Sequence, residues 1–427
     1  MAMAATLFGD VSAPSHQIPV RPHTVGSALP GHCTMGHLTD RGLMQAYAQG
    51  LRLGAHLKTL YAARGTALET ADIDARSTDY HRTRATTMGV LSGVVNTAIA
   101  LGPGEKGRLP AVVYRDGAHD YLPMSDRVCK ASAYVKEAYA AAEWVDYVNA
   151  TMPALQTAVD GIAGADKTDV SSFFDCVKTR LCHQKPLPDA YTEALDTQLS
   201  DYMDKYWNQV FFHDHPRAAR LFSGGVLLVL YAELSRVLAA GAAALDARPS
   251  VVLRGGHDFG PMMNLCSALD LGNKRASYWP PYVSMLNLEI AAVPAALAHT
   301  ASRIGVRAIL NGEGAAMGVC TGHTEAGAFC PLETLIAALE PMLPSAEECP
   351  GLVPEPEFLE ALTAAGGVRA LRSGAAGGRI VGAETAAKLD AFAERAQAAA
   401  RQDSAVAEQL PRTRTDEEVW AARHFDL

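Results

Sequence analysis

The chain has 427 residues, 49% of them hydrophobic and 19% charged, which is the composition of a globular protein with a sizeable core rather than a disordered one. Its 37 Lys and Arg are outnumbered by 46 Asp and Glu, for a net charge of −9 with no basic run, and this argues against nucleic acid as a partner. The longest apolar stretch, Gly224 to Leu245, carries Glu233 and Arg236 on a helical period, so it reads as a core helix and not as a membrane span.

Up to about Pro30 the sequence is rich in Pro, His and Gly and shows no sustained period. It has neither a basic n-region nor a long apolar h-region, so no signal peptide is read there. Thr39 or Asp40 can cap a helix whose apolar face runs through Leu43, Ala46, Leu51 and Gly54. Ala71 to Arg76 reads as a short strand, and Ser77-Thr78-Asp79 starts a second helix. Ala111 to Tyr114 is another strand candidate. Between about Arg127 and Pro216 strand signals fade and Tyr, Trp and Asp become frequent, which predicts a helical insertion. The framework resumes with a helix over 221–245 and the short buried strand Ser250 to Arg254. A Gly255-Gly256 turn and a helix with Pro261 in its first turn follow. Tyr282 to Ile290 and Val306 to Leu310 complete the strand candidates, and an Ala-, Arg- and Glu-rich helix with a frayed tail follows Gly374. Alternating helices and short buried strands predict an α/β, three-layer sandwich around a mostly parallel sheet, with an all-α cap inserted. The predicted units are a discontinuous core, 1–126 and 217–345, a cap at 127–216 and an extension at 346–427, the core's first strand being missing or degenerate.

Two segments place chemistry at strand-to-helix junctions. In Gly255-Gly256-His257-Asp258 a strand ends and a His-Asp pair precedes a helix N-terminus, where anions are favoured. His supplies a switchable charge and Asp can hold or give a proton; alternatively Asp258 is only an N-cap and His257 a satisfied turn residue. In Arg76-Ser77-Thr78-Asp79 a guanidinium beside three capping residues can grip a phosphate, or the segment is an exposed cap.

Arg76-Ser77-Thr78-Asp79-x-x-Arg82-Thr83 and Gly256-His257-Asp258 resemble two signatures of the histidine acid phosphatases, branch 2 of the histidine phosphatase superfamily. Supporting segments stand in that family's order: Gly36-His37-Leu38-Thr39-x-x-Gly42, Ser223-Gly224-Gly225, Trp279-Pro280-Pro281-Tyr282, Asn311-Gly312 and Cys330-Pro331-Leu332. The similarity runs from about Gly36 to about Leu339. It implies a phosphomonoesterase acting on a small phosphomonoester through a phosphohistidine. Asp258 would protonate the leaving oxygen, and Arg76, with His257 if protonated, would neutralise phosphate charge. It implies no metal or organic cofactor and allows for a homodimer; it leaves open which phosphomonoester is used.

The family's opening RHGxRxP motif, which holds the nucleophile, has no counterpart here. The nearest string is Arg21-Pro22-His23-Thr24-Val25-Gly26, making His23 the weak nucleophile candidate among His16, His23, His32 and His37. Cys33 with His32 and His37 matches no metal-site spacing. Loss of a nucleophile costs on the order of 10⁶ in rate where it works as part of a unit. Three expectations follow: an N-terminally incomplete phosphatase, which is the favoured one, a phosphate-binding pseudophosphatase or interaction protein, or a slow enzyme with a degenerate nucleophile. For the chain as written, p-nitrophenyl phosphate turnover near background is expected. Eight cysteines, with Cys320, Cys330 and Cys349 close together, suit disulfides of a secreted or endomembrane protein, against the absent signal peptide; alternatively they are eight reduced, mostly buried thiols.

Overall fold

The computed structural model describes residues 4–8, 37–99, 109–115, 120, 122, 125, 128–245, 250–271, 280–293, 303–323, 325–353, 358, 363 and 383–406. His16, His23, His32, Cys33, Gly36, Arg127 and Trp279 lie outside these residues.

An eight-stranded sheet organises the molecule. Its strands are β1 (Ala4–Phe8), β2 (Ile73–Ser77), β3 (Val112–Val113), β4 (Val251–Gly255), β5 (Met285–Ala292), β6 (Ile304–Leu310), β7 (Glu313–Ala315) and β8 (Cys330–Pro331). They lie in the order β3-β2-β4-β1-β5-β6-β7, with β8 also on β6. β3, β2, β4 and β1 run parallel, and from β5 onward each pairing is antiparallel. Sequence reading saw no strand before Arg21, yet Ala4–Phe8 sits at the centre of the sheet, Phe8 in register with both Gly255 and Met285. Five residues without an alternating partner pattern give too little periodicity to be read as a strand; pairing on both edges is what fixes them.

Helices cover both faces. On one lie α1 (Asp40–Ala62) and α2 (His81–Ala98). The Thr39 hydroxyl caps α1 by accepting the Gly42 N–H at 3.0 Å, and Asp40 in the first turn complements the helix dipole. Leu43, Ala46, Gly50, Leu53, Leu57 and Tyr61 recur at three- and four-residue spacing and are buried with Ile73, Ala75, Val251, Leu253 and Met285 of the sheet. Each fully buried leucine, such as Leu53 and Leu57, contributes roughly 2 kcal/mol of transfer free energy. The opposite face is covered by α7 (His215–Ala244), α8 (Met263–Ala268) and α9 (Leu332–Leu339), whose apolar residues pack on Leu286, Leu288 and Ile290 of β5 and on Val306 of β6. The later helix α10 (Ala383–Val406) adds Leu389 and Phe392 to the same cluster. β5 alternates as a strand covered on both faces must: Leu286, Leu288 and Ile290 go to one cluster, Met285 to the other. The α/β sandwich expected from the sequence is therefore present, with an antiparallel half that the strand candidates alone did not reveal.

The insertion is also present. Helices α3 (Ala131–Ala140), α4 (Ala142–Ala163), α5 (Val170–Cys182) and α6 (Glu193–Phe212) gather around their own core of Trp144, Leu155, Val159, Phe173, Phe174, Leu199 and Tyr202. Among the described residues one helix, within His215–Ala242, is long and apolar enough to cross a membrane, and 78% of its most apolar window is buried in the fold. Disulfides join Cys129 to Cys349 and Cys320 to Cys330.

Candidate functional site

β2 and β4 are parallel neighbours in which Arg76 pairs with Arg254 and Ser77 with Gly255. The ladder continues one residue past the strands, where the Thr78 N–H donates to the Gly255 carbonyl at 3.0 Å. Arg76-Ser77-Thr78 and Gly256-His257-Asp258, 180 residues apart in sequence, thereby leave the same edge of the sheet side by side. That edge is the carboxyl end of the parallel strands, where open α/β sheets bind ligands.

Glycine is needed at this junction for close approach. A Cβ on Gly255 would fall 2.0 Å from the Thr87 hydroxyl, and one on Gly256 would fall 2.4 Å from Pro261 Cγ. Pro261 sits in the π-helical turn Asp258–Met262 that leads into α8, and His257 holds the N-cap position of that turn. Asp258 is thus the first residue inside the turn, one past the cap position, with its backbone carbonyl accepting the Met263 N–H.

Across from it, Tyr80 is the N-cap of α2, and His81 and Arg82 open its first turn. The Thr78 hydroxyl donates to the Thr83 hydroxyl at 2.7 Å, fixing the path of this junction. The Arg82 guanidinium lies 4.8 Å from the centre of the Tyr80 ring, and that ring meets His257 edge-on at 4.7 Å. His37 and His81 stack at 3.8 Å. Burial, and then the charge of Arg82, push the His257 imidazole down to about 3. Both effects favour the neutral imidazole, which can offer a hydrogen bond.

Arg76 is 1% exposed, and its Nη2 lies 2.9 Å from Oδ1 of Asp120, whose side chain is equally buried. Asp120 also accepts the Leu122 N–H at 3.0 Å. Burial pushes the Asp120 carboxyl up, while the Arg76 charge pulls it back. Arg254 is anchored separately, 2.6 Å from Asp74. Two like charges in register across a parallel pair would repel; each has a carboxylate of its own.

The insertion reaches the same place. The Thr179 hydroxyl of α5 lies 2.9 Å from the Tyr282 hydroxyl, just ahead of β5. Nε2 of His183, past the end of α5, lies 2.7 Å from the Thr39 hydroxyl. Asp175, on the same helix, is pushed up to about 7 by burial, then by the charges of Asp258 and Asp169. Tyr282 is pushed up by burial too, and the Asp175 and Asp258 charges add to it.

Of the residues singled out from sequence, Arg76, His257 and Asp258 are brought to one junction, and His37 joins its edge through His81. His23 lies outside the described residues. Sequence reading passed over Asp120, Asp175 and Tyr80, and gave Tyr282 only as part of the Trp279-Pro280-Pro281-Tyr282 segment and a strand start. The four-residue spacing of Asp175, Thr179 and His183 was the one available signal. Asp120 had none, because it acts through a partner 44 residues away.

A family model described as histidine phosphatase superfamily (branch 2) matches residues 4–299, starting at β1. Counting factor 60 of Dictyostelium discoideum is 26% identical over 277 residues, which is 61% of this chain, and the chain spans 61% of the length of that relative. Among solved structures, a Hafnia alvei phytase in complex with myo-inositol hexakis sulphate superposes with a TM-score of 0.57 at 15% identity, covering 80% of this chain and 97% of the phytase. A Klebsiella phytase gives 0.55 at 17% identity, covering 81% and 98%, and one from Citrobacter braakii 0.54 at 14%, covering 81% and 98%. At these identities the likeness is one of fold.

Proposed function

This chain belongs to branch 2 of the histidine phosphatase superfamily, and on that premise we propose that the junction of β2 and β4 is a phosphomonoester site. Arg76 and Arg82 hold the phosphate, neutral His257 donates a hydrogen bond to it, and Asp258 protonates the leaving oxygen. The observation that carries this is the register of β2 with β4, which sets Arg76 and the His-Asp pair at one carboxyl edge beside the N-terminus of α2. Donors aimed at a phosphoryl group from fixed backbone stabilise the charge that builds on it during transfer.

The nucleophile is sought between residues 9 and 36, with His23 as the candidate. The chain leaves β1 in register with Gly255 and is next described at His37, stacked on His81, so both ends of that segment lie at the site. A second reading, phosphate binding without turnover, is favoured by one observation. The strand beside β4 ends at Phe8, so a phenylalanine and not a histidine stands in register with Gly255. Two disulfides support placing the protein in a secreted or endomembrane compartment.

Calorimetry with inorganic phosphate and turnover of p-nitrophenyl phosphate at acid pH test these readings together. Phosphate binding with turnover that His23→Ala and Asp258→Asn both abolish supports the phosphomonoesterase. Binding without turnover selects the second reading, and absence of phosphate binding refutes both.

A further inference from the structure

Helix α5 and its C-cap carry three polar residues at four-residue spacing, Asp175, Thr179 and His183, which places them on one stripe. Two of them are anchored on the α/β core, Thr179 to the Tyr282 hydroxyl and His183 to the Thr39 hydroxyl that caps α1. Cys182, beside the stripe, also meets the Gln45 side chain of α1. The stripe therefore lies against the core at the site, and Asp175 is its member one turn nearer the helix start. The charge of Asp258, which acts on both Asp175 and Tyr282, agrees with that placement.

The phosphate-holding groups come from the β2–α2 junction, but Asp175 comes from the insertion, on a stripe bonded to Tyr282 at the same carboxyl edge, where the charge of Asp258 acts on it. A proton donor stands beside the leaving oxygen, so a carboxyl brought to that side of the edge by the insertion stands toward the departing alcohol. The cations of α5 are committed elsewhere. Lys178 is bound to Asp196 at 2.7 and 2.8 Å, and Arg180 to the Pro186 carbonyl at 2.6 and 3.1 Å. On this side the insertion offers a carboxyl and no free lysine or arginine from α5. We propose that Asp175 is a specificity-determining residue that turns the alcohol side of the site against further phosphates and toward a leaving group bearing an ammonium or hydroxyl donor. The inference deepens the phosphomonoester reading and rests on it. A second phosphate near this carboxylate meets repulsion in a site of lowered dielectric, whereas an ammonium meets an acceptor.

Calorimetry on the full chain at pH 8, where Asp175 is ionised, with inorganic phosphate, O-phosphoethanolamine and myo-inositol hexakisphosphate tests this. The wild type should bind O-phosphoethanolamine about ten-fold or more tightly than the hexakisphosphate, and Asp175→Asn should lose most of that ratio. Asp175→Ser replaces the Asn variant if circular dichroism shows the latter unfolded, and Asp175→Glu should restore the preference. Preference of the wild type for the hexakisphosphate, or a ratio that both neutral variants leave intact, overturns the inference while the phosphate site stands. Absence of inorganic phosphate binding removes the site, and the inference with it.

Discussion

Removing Asp120 should destabilise the protein and at the same time sharpen its grip on phosphate. Arg76 and Asp120 are each 1% exposed and lie 2.9 Å apart. Truncating one partner of such a pair leaves the other charge buried and uncompensated, at a cost of about 3–5 kcal/mol. The lost Leu122 N–H bond adds about 1 kcal/mol. An arriving phosphate can replace the missing carboxylate beside Arg76. At a hundred times its dissociation constant, a ligand bound only by the native state returns about 2.7 kcal/mol. In wild type the anion must share the guanidinium with Asp120, so phosphate should bind Asp120→Ala more tightly, by about ten-fold for each 1.4 kcal/mol of competition relieved. Urea denaturation of both proteins, with phosphate and with chloride at matched ionic strength, measures the effect. Asp120→Asn, which can keep the Leu122 bond, should fall between them. If phosphate stabilises Asp120→Ala no more than wild type, the guanidinium does not face the anion. Arg76 would then be a structural residue.

Three further expectations concern stability. Folding raises the Asp175 carboxyl from 3.8 to about 7, so its contribution is fully present below pH 4 and is lost as pH rises through 7. Asp175→Asn should therefore gain on wild type between pH 4 and 8, by on the order of 1–3 kcal/mol in urea denaturation; parallel curves would refute this. His257 runs the other way: depressed from 6.5 to about 3, it contributes above pH 6.5 and loses that contribution as pH falls toward 3, so His257→Gln should be less acid-sensitive. Finally, Gly93→Ala would ordinarily stabilise a helix by about 1 kcal/mol. Here the new Cβ falls 2.4 Å from the Tyr47 carbonyl oxygen and 2.5 Å from the Leu51 nitrogen, so α1 and α2 must part, and thermal unfolding should show a loss of roughly 1–3 kcal/mol. A stabilised variant would show that the helix pair yields without cost.

What sequence could reveal follows from which forces act locally. The Thr39 cap of α1, the alternation of α2 with β2 and the Gly-Gly turn after β4 are set by neighbours within a few residues, and each is legible. Arg76 and the His-Asp pair were also legible, as anion-friendly groups at strand ends whose ordered companions resemble a family. Their adjacency was not, because it rests on register between segments far apart in the chain. β1 was missed for the same reason, since its pairing lies entirely with strands near residues 251 and 285. The protonation of His257 could not be read at all: burial and Arg82 determine it, and neither shows in a Gly-His-Asp string. Asp120 owes its place to Arg76, a partner brought in by the fold, and the raised carboxyl of Asp175 likewise reflects burial and charges that only the fold brings near it.

The central position of β1 also bears on the order in which the molecule can be made. Ala4 pairs with Val251 on one side and with Glu289 on the other. Once translated, this strand therefore waits for about 245 more residues before its parallel neighbour exists, roughly 12 to 50 seconds at ordinary elongation rates. Its antiparallel neighbour comes later still. The α1–α2 pair and the helical insertion can assemble from local contacts during that interval. The carboxyl edge where we place the phosphate site, by contrast, cannot close until the chain has reached β5. Nascent protein would thus hold a formed cap and a helical layer ahead of any phosphate-binding capacity.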